Sequence, residues 1–156
     1  MSTDGLSGPE DCNCLAVRQA ARHITQFYDQ LLAPSGLRTT QFSILANLSR
    51  LGPRTINALA ADLVMDRTTL GRNILPLERD GLVAIEQGSR DRRQKEVRLT
   101  EAGAARFRAA VKGWVAAQRQ FAAAFGAERT TKLRFLLRAV SATELGAPAV
   151  ATTDHQ

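Results

Sequence analysis

The sequence predicts a mainly α fold with a small β-wing, in which a winged helix-turn-helix unit is joined to a helical dimerisation region. Three observations predict it. The stretch TINALAADLV reads as a short apolar helix, breaks at Met65-Asp66, and resumes as the helical run RTTLGRNILPLERDG. VAIEQ and KEVRL then alternate with the strand period of two and are joined by the basic turn GSRDRRQ. Long Ala-, Leu- and Val-rich periodic stretches flank this unit, while aromatic content is only 5%. Such flanks present more apolar surface than one small core absorbs, which implies a second subunit.

In chain order, residues 1–10 carry Gly, Ser and Pro without a period and are expected to form a flexible arm. Residues 11–36 and 101–145 make up the expected dimerisation region, 37–100 the winged helix-turn-helix, and 146–156 a disordered tail. The first helix spans Cys12 to Ala33, with Leu15, Val17, Ala20, Ala21, Ile24, Phe27, Tyr28 and Leu31 recurring at three and four and Asp11 as N-cap. Pro34-Ser35-Gly36 ends it. Thr39 caps the next helix, whose inward side carries Phe42, Leu45 and Leu48 until Gly52-Pro53 stops it, and Thr55 opens the following one. Pro76 removes a backbone donor and crowds the carbonyl of Arg72, so a bend or loosened turn is expected there. Thr100 caps a helix from Glu101 to about Phe125, striped by Val111, Trp114, Val115, Gln118 and Phe121 or Ala122. A last helix, from about Ala127 to Thr143, displays Leu133, Leu136, Leu137 and Val140.

Function is sought in the residues this packing leaves outside. In the run after Asp66, Leu70, Ile74 and Leu77 form one narrow inward stripe, which frees Arg67, Thr68, Thr69, Arg72 and Asn73 near the helix N-terminus. Arg suits the acceptor edge of guanine, Asn suits adenine, and Thr suits a phosphate or a thymine methyl. Arg90, Arg92, Arg93, Lys95 and Arg98 then stand against only Asp91 and Glu96 in the wing, a pattern that fits a phosphate backbone. A solvated hairpin beside an amphipathic helix pair would explain any one of these features. The ordered series of helix, turn, helix, strand, basic turn and strand favours double-stranded DNA, with Thr55, Arg67, Thr68, Thr69, Arg72, Asn73, Arg90, Asp91, Arg92, Arg93 and Lys95 as its contacts. The formal charge of +6 agrees with an anionic partner.

Other classes find little footing. The chain has two histidines, no phosphate-binding glycine loop, no paired carboxylates at useful spacing and no zinc-ligand set, so no enzyme, cofactor or metal is expected. No apolar run approaches the roughly 20 residues that span a bilayer, and MSTDGLSGPED lacks the features of a signal peptide. A cytoplasmic location with reduced cysteines is expected. The alternatives are a thiol-based peroxide-reactive protein, which turnover with a thiol reductant would reveal, and a winged-helix module that binds protein, which weak salt dependence would reveal.

The strings QFSIL, LAADLVMDRTTLGRNILPLERDGLV and RDRRQKEVRLTEAG, in this order and followed by a long helix, resemble the MarR family of bacterial winged-helix regulators over about residues 12–145. The most specific element is Asp91-x-Arg93 followed by Leu99-Thr100-x-x-Gly103. The resemblance implies a homodimer knitted by its terminal helices on a near-palindromic operator, acting as a repressor released by a small molecule or by oxidation. It also implies that Arg93 enters the minor groove, whose narrowness concentrates negative potential, while Asp91 steadies it. Two recognition helices related by a two-fold would lie about one turn of DNA apart.

Two sensing chemistries stay open. Cys12 and Cys14 stand at the start of the first helix, where exposed N–H groups favour a thiolate; Arg18 lies one turn on, and Glu10 and Asp11 oppose it. Two small apolar residues that happen to be thiols would look the same. Resemblance to the organic hydroperoxide regulators of the family implies that Cys14 is peroxidatic and that Tyr28 of the partner subunit hydrogen-bonds its oxidised sulfur. Arg18 and Thr39 stand where that branch carries further tyrosines. Within one helix Cys14 and Tyr28 would be about 21 Å apart, and Cys12 and Cys14 about 200° apart around the axis, too divergent to bridge. His23 falls nearly opposite Cys14, against a shared metal site. The other chemistry is a small aromatic or carboxylate effector held where the first, second and fifth helices meet, with His23, Phe27, Phe42 and Trp114 as candidate contacts.

Overall fold

The computed structural model describes residues 8–146 of the chain. A 3-10 turn (Pro9–Asp11) leads into α1 (Asn13–Leu32), a second 3-10 turn (Ala33–Ser35) and α2 (Thr39–Leu51). Then come β1 (Arg54–Thr55), α3 (Ile56–Asp62), α4 (Arg67–Arg79), β2 (Val83–Gln87) and β3 (Lys95–Leu99), followed by α5 (Glu101–Phe125) and α6 (Ala127–Ala142). The fold class is the expected one, mainly α with a small antiparallel sheet. The chain divides into two compact units between Gln120 and Phe121.

In the first unit the expected inward stripes form one core. Leu45 and Leu48 of α2, Leu59 of α3, Leu70, Ile74 and Leu77 of α4, and Val83 and Val97 of the sheet are all buried in a single cluster. Each such side chain contributes roughly 1.5–3 kcal/mol relative to exposure, so the cluster fixes α4 against α2 and the wing. Gly113 of α5 sits where a Cβ would run into the carbonyl oxygen of Leu31, which lets α5 approach the end of α1 closely.

The sheet has three strands in the order β1-β3-β2. Val83 pairs with Leu99 and Ile85 with Val97, so the apolar alternation of both long strands faces the core. β1 is an addition to the sequence reading. Arg54 pairs with Val97 and also forms a two-pronged bond to Asp62, Nε to Oδ2 at 2.9 Å and Nη2 to Oδ1 at 3.0 Å, which ties the strand to α3.

Several helix boundaries differ from expectation. Asp11 ends the 3-10 turn, and Cys12 is the N-cap of α1, its Sγ accepting from the Leu15 N–H at 3.4 Å. Arg38, not Thr39, is the N-cap of α2, its backbone N–H donating to Gln41 Oε1 at 3.0 Å. Thr39 is the first helical residue, and Asp29 Oδ1 on α1 accepts from both its N–H and its hydroxyl at 2.7 Å. α4 runs through Pro76 to Arg79 without leaving the helix, because buried Ile74 and Leu77 anchor it on either side. Gly8, Pro9 and Glu10, expected in the loose arm, are the cap and first residues of the 3-10 turn; residues 1–7 of that arm and residues 147–156 of the expected 146–156 tail lie outside the described residues.

In the second unit, Phe121 and Phe125 stack at 5.4 Å and the Arg129 guanidinium lies 4.8 Å above the Phe125 ring. Along α6, Phe135, Leu136, Leu137 and Val140 are exposed, Phe135 to 71%.

Candidate nucleic-acid interface

The interface is built on two helix ends. Thr55 caps α3, its hydroxyl oxygen accepting from the Ala58 N–H at 3.1 Å. α3 closes with a pair of backbone bonds, Met65 N–H to Ala60 O at 2.9 Å and Val64 N–H to Ala61 O at 3.1 Å. This is a Schellman turn, and it requires a left-handed residue at Val64, where φ is +52°. The same turn ends α4, with Leu82 N–H on Leu77 O and Gly81 N–H on Glu78 O, but there glycine supplies the positive φ of +71°.

α4 starts at once after the first turn. Asp66 is its N-cap, with Oδ1 accepting from the Thr69 N–H at 2.8 Å and Oδ2 from the Thr69 hydroxyl at 2.6 Å. These two bonds hold the Asp66 carboxyl below its ordinary value of 3.8. Arg67, Thr68 and Arg72 are exposed on the outer side of α4, opposite buried Leu70, Ile74 and Leu77. The expectation that all five outer residues are unengaged needs correction for two of them: the Thr69 hydroxyl is committed to Asp66, and Asn73 Nδ2 donates to Thr69 O at 2.8 Å. Short polar side chains near a helix start find backbone or capping partners within a turn, whereas the long arginines reach past them.

The wing tip is folded by its own acidic residue. Asp91 Oδ1 accepts from the Arg93 N–H at 2.9 Å, Asp91 O accepts from the Gln94 N–H at 3.1 Å, and Gly88 N–H closes the loop on Gln94 O at 2.7 Å. Gly88 is required at that crossing, since a Cβ there would lie 2.6 Å from Asp91 O. The side chains of Arg90, Arg92, Arg93 and Lys95 are left exposed, while Arg98 Nε pairs with Glu86 Oε2 at 3.3 Å on the outer face of the sheet. Behind the wing, Thr100 donates its hydroxyl to Gly81 O at 2.6 Å and accepts from the Gly103 N–H at 3.0 Å. A Cβ on Gly103 would run into the Leu82 carbonyl oxygen. The Thr100-x-x-Gly103 string therefore ties the start of α5 to the turn between α4 and the wing.

This arrangement can be compared with known proteins. The sequence pattern of the MarR family matches residues 37–95, from just before α2 to the first residue of β3. The chain is similar to the Mycobacterium tuberculosis transcriptional regulator MosR, at 36% identity and a TM-score of 0.73 over 87% of this chain and 100% of that one. The chain belongs to the MarR family. A second structure of MosR, in complex with DNA, matches this MarR-family chain at 40% identity and a TM-score of 0.72, covering 85% of this chain and 98% of the other. The HTH-type transcriptional regulator YwoH of Bacillus subtilis is 36% identical over 85 residues, 54% of this chain; the match spans 61% of YwoH's length. The family and the fold are those of transcriptional regulators, and among the described residues no helix is long and apolar enough to cross a membrane.

The residues considered for sensing fall into two places. An open groove of about 550 Å³ runs between α1, α2 and α5, and Phe42 and Trp114 line it with stacked rings 6.0 Å apart. Tyr28, Asn47, Arg50 and Phe107 line it as well; their shared surface is a product of tertiary packing that no one helix announces. His23 is exposed and Phe27 packs edge-on against Tyr28 at 5.8 Å; neither lines the groove. Tyr28 donates its hydroxyl to Gln118 Oε1 of the same chain at 2.9 Å.

Cys12 and Cys14 are both exposed. The helical angle expected between them does not apply, because Cys12 is an extended capping residue (φ −77°, ψ 109°) outside the helix. It is Cys12, not Cys14, whose sulfur takes up an N–H at the helix start.

Proposed function

We propose that this MarR-family regulator is a homodimeric repressor that binds a near-palindromic DNA operator and is released by a small aromatic or carboxylate effector. The observation that carries the DNA reading is the pairing of α4, capped at Asp66 with Arg67, Thr68 and Arg72 exposed, with a wing on which the side chains of Arg90, Arg92, Arg93 and Lys95 are exposed. Arg67 and Arg72 are assigned to base edges in the major groove and Thr68 to a phosphate or a thymine methyl. Thr69 and Asn73 are assigned to support, through the groups they leave facing outward. Arg93 is assigned to the minor groove, with Asp91 holding its backbone and Arg90, Arg92 and Lys95 on the phosphates. Thr55 is assigned to a phosphate through the same helix start that it caps. A structure of the related MosR in complex with DNA supports this reading.

The dimer rests on the apolar side of α6, where Phe135, Leu136, Leu137 and Val140 stand uncovered in a single chain. A second copy would bury them and set two α4 helices on successive turns of one face of the duplex. The effector reading rests on the groove, because α2 forms one wall of it while sharing its buried face with α4. A ligand that favours one setting of α2 thereby biases α4. The site of action is the cytoplasm, where the operator is.

Oxidation of Cys14 by a peroxide is the second reading, favoured by the exposure of both thiols at the start of α1. The deciding experiment is footprinting of promoter DNA by the purified dimer at several salt concentrations, with benzoates or peroxide added. A protected two-fold site lost with benzoates supports the proposal; loss with peroxide alone, with Cys14 modified by mass, supports the second reading. A strictly monomeric protein that protects no duplex at low salt overturns both.

A further inference from the structure

We infer that Gly71 and Leu75, one turn apart on the exposed flank of α4, form a notch that receives the C5-methyl group of a thymine in the operator. The inference rests on the DNA reading above and adds a specificity-determining residue to it, Leu75. Leu75 is 64% exposed and takes no part in the core cluster, although Ile74 and Leu77 beside it are buried there. A lone exposed leucine is ordinary on a protein surface. What sets this one apart is the glycine one turn before it.

Three glycines lie inside helices among the described residues, and two of them answer to the chain itself. A Cβ at Gly103 would run into the Leu82 carbonyl oxygen and one at Gly113 into that of Leu31, whereas one at Gly71 would meet nothing within 4 Å. Glycine inside a helix costs conformational entropy that alanine does not, and one use that offsets this cost is the close approach of a ligand to the backbone. Nothing described in the chain makes that approach at Gly71. The approaching surface is therefore external, and α4 is the helix assigned to the duplex.

Thr68, Arg72 and Leu75 recur at four and three and are all exposed, on the side away from Leu70, Ile74 and Leu77. A helical leucine leans back over the turn before its own Cα, which here carries Gly71 and Arg72. On the Gly71 side it overhangs bare backbone, so the missing Cβ leaves a notch one methyl group deep with Leu75 as its apolar wall. Among the base edges of the major groove only thymine offers an apolar group. The other edges present donors and acceptors, which such a wall would strip of water without pairing. Leu75 stands three residues beyond Arg72, about 4.5 Å along the helix, or between one and two base-pair steps of roughly 3.4 Å. The thymine should lie that far from the guanine assigned to Arg72.

The test uses duplexes that the full-length protein selects from a random-sequence pool. Each thymine is replaced in turn by deoxyuridine, which keeps the O4 acceptor and the base pairing and lacks only the methyl group, and affinity is read by fluorescence anisotropy at fixed salt. In the wild type one thymine of each half-site, one or two base pairs from the guanine that Arg72→Ala ceases to prefer, should respond. Loss of both methyl groups should weaken binding about 15-fold, or fourfold for each methyl buried. In Leu75→Ala the same replacement should cost about threefold or less. Gly71→Ala puts a methyl group of its own into the notch. It should bind the thymine duplex roughly tenfold more weakly than the wild type does and the deoxyuridine duplex at least as tightly as the thymine one, while its denaturation midpoint rises.

No responding thymine in the wild type overturns the inference, and that comparison needs no variant. A response of the same size in Leu75→Ala and in Gly71→Ala also overturns it, since the methyl group is then met elsewhere. A protein that selects no duplex overturns the DNA reading as well.

Discussion

Asp66 grips Thr69 twice, at the backbone N–H and at the hydroxyl, and so fixes the first turn of α4 before any DNA arrives. Both bonds need the ionised carboxylate. The folded protein holds that carboxyl below its ordinary 3.8, so the unfolded chain binds the proton more readily. The stabilisation is therefore complete above 3.8 and is lost as the pH falls from there through the lower folded value. Asp66→Ala should lower thermal stability at neutral pH. Asp66→Asn, which keeps one acceptor, should lose less at neutral pH and show a shallower loss of helix by circular dichroism below pH 4 than the wild type. An identical acid profile for the wild type and Asp66→Asn would show that the carboxylate does not hold this turn.

Val64 is the one described non-glycine residue with a positive φ, +52°, and it sits where a Schellman turn wants glycine. Left-handed backbone costs an L-residue roughly 1–2 kcal/mol, while glycine costs entropy in the unfolded chain. Val64 is 78% exposed, so its removal gives up little packing. Val64→Gly should raise stability by about 0.5–1 kcal/mol. Urea denaturation would show this as a higher midpoint at an unchanged slope.

Much of this was legible in the sequence where a period carries the signal. Leu70, Ile74 and Leu77 announce the buried face of α4, and the alternation in VAIEQ and KEVRL gives β2 and β3 end to end. The caps at Asp11 and Thr39 were misplaced because capping depends on the φ and ψ of one residue, which composition does not reveal. β1 is two residues long and exists through its pairing with Val97 and Glu96, more than forty residues away in sequence. Val64 gives no local sign of a left-handed turn, since valine is the residue least suited to one. The groove was half visible: Phe42 and Trp114 are aromatic and periodic, whereas Asn47 and Arg50 matter only through what α1 and α5 place opposite them.

Gly103 is where the wing and the long helix meet. Alanine would ordinarily stabilise a helix interior by roughly 0.5–1 kcal/mol over glycine, but its Cβ would here meet the backbone carbonyl of Leu82, which cannot rotate away. The collision should dominate, and Gly103→Ala should destabilise the protein by about 1–3 kcal/mol. Gly71 is the internal control: a Cβ there meets nothing within 4 Å, so Gly71→Ala should raise stability instead. Denaturation midpoints moving in opposite directions for the two variants would confirm that backbone approach, not helix propensity, dictates the glycine at 103.

Arg72 and Arg93 divide the proposed work on DNA between reading and holding. Arg72 is exposed on α4 with no partner among the described residues, placed to fork onto a guanine edge, whereas Arg93 stands on a wing loop whose backbone Asp91 has already fixed. A fork on a base edge is worth about 1–3 kcal/mol of discrimination, so Arg72→Ala should weaken the preferred operator roughly 5- to 150-fold and leave altered sequences much less affected. Lys95→Ala removes a phosphate contact instead. It should weaken every duplex similarly and reduce the slope of log K against log salt by about one. Arg93→Ala should weaken operator binding most where the wing meets A·T-rich, narrow minor groove. Anisotropy titrations of the three variants on the operator and on two altered operators, each at several salt concentrations, separate these behaviours. If Arg72→Ala and Lys95→Ala lose affinity equally on every sequence, α4 holds the duplex without reading it.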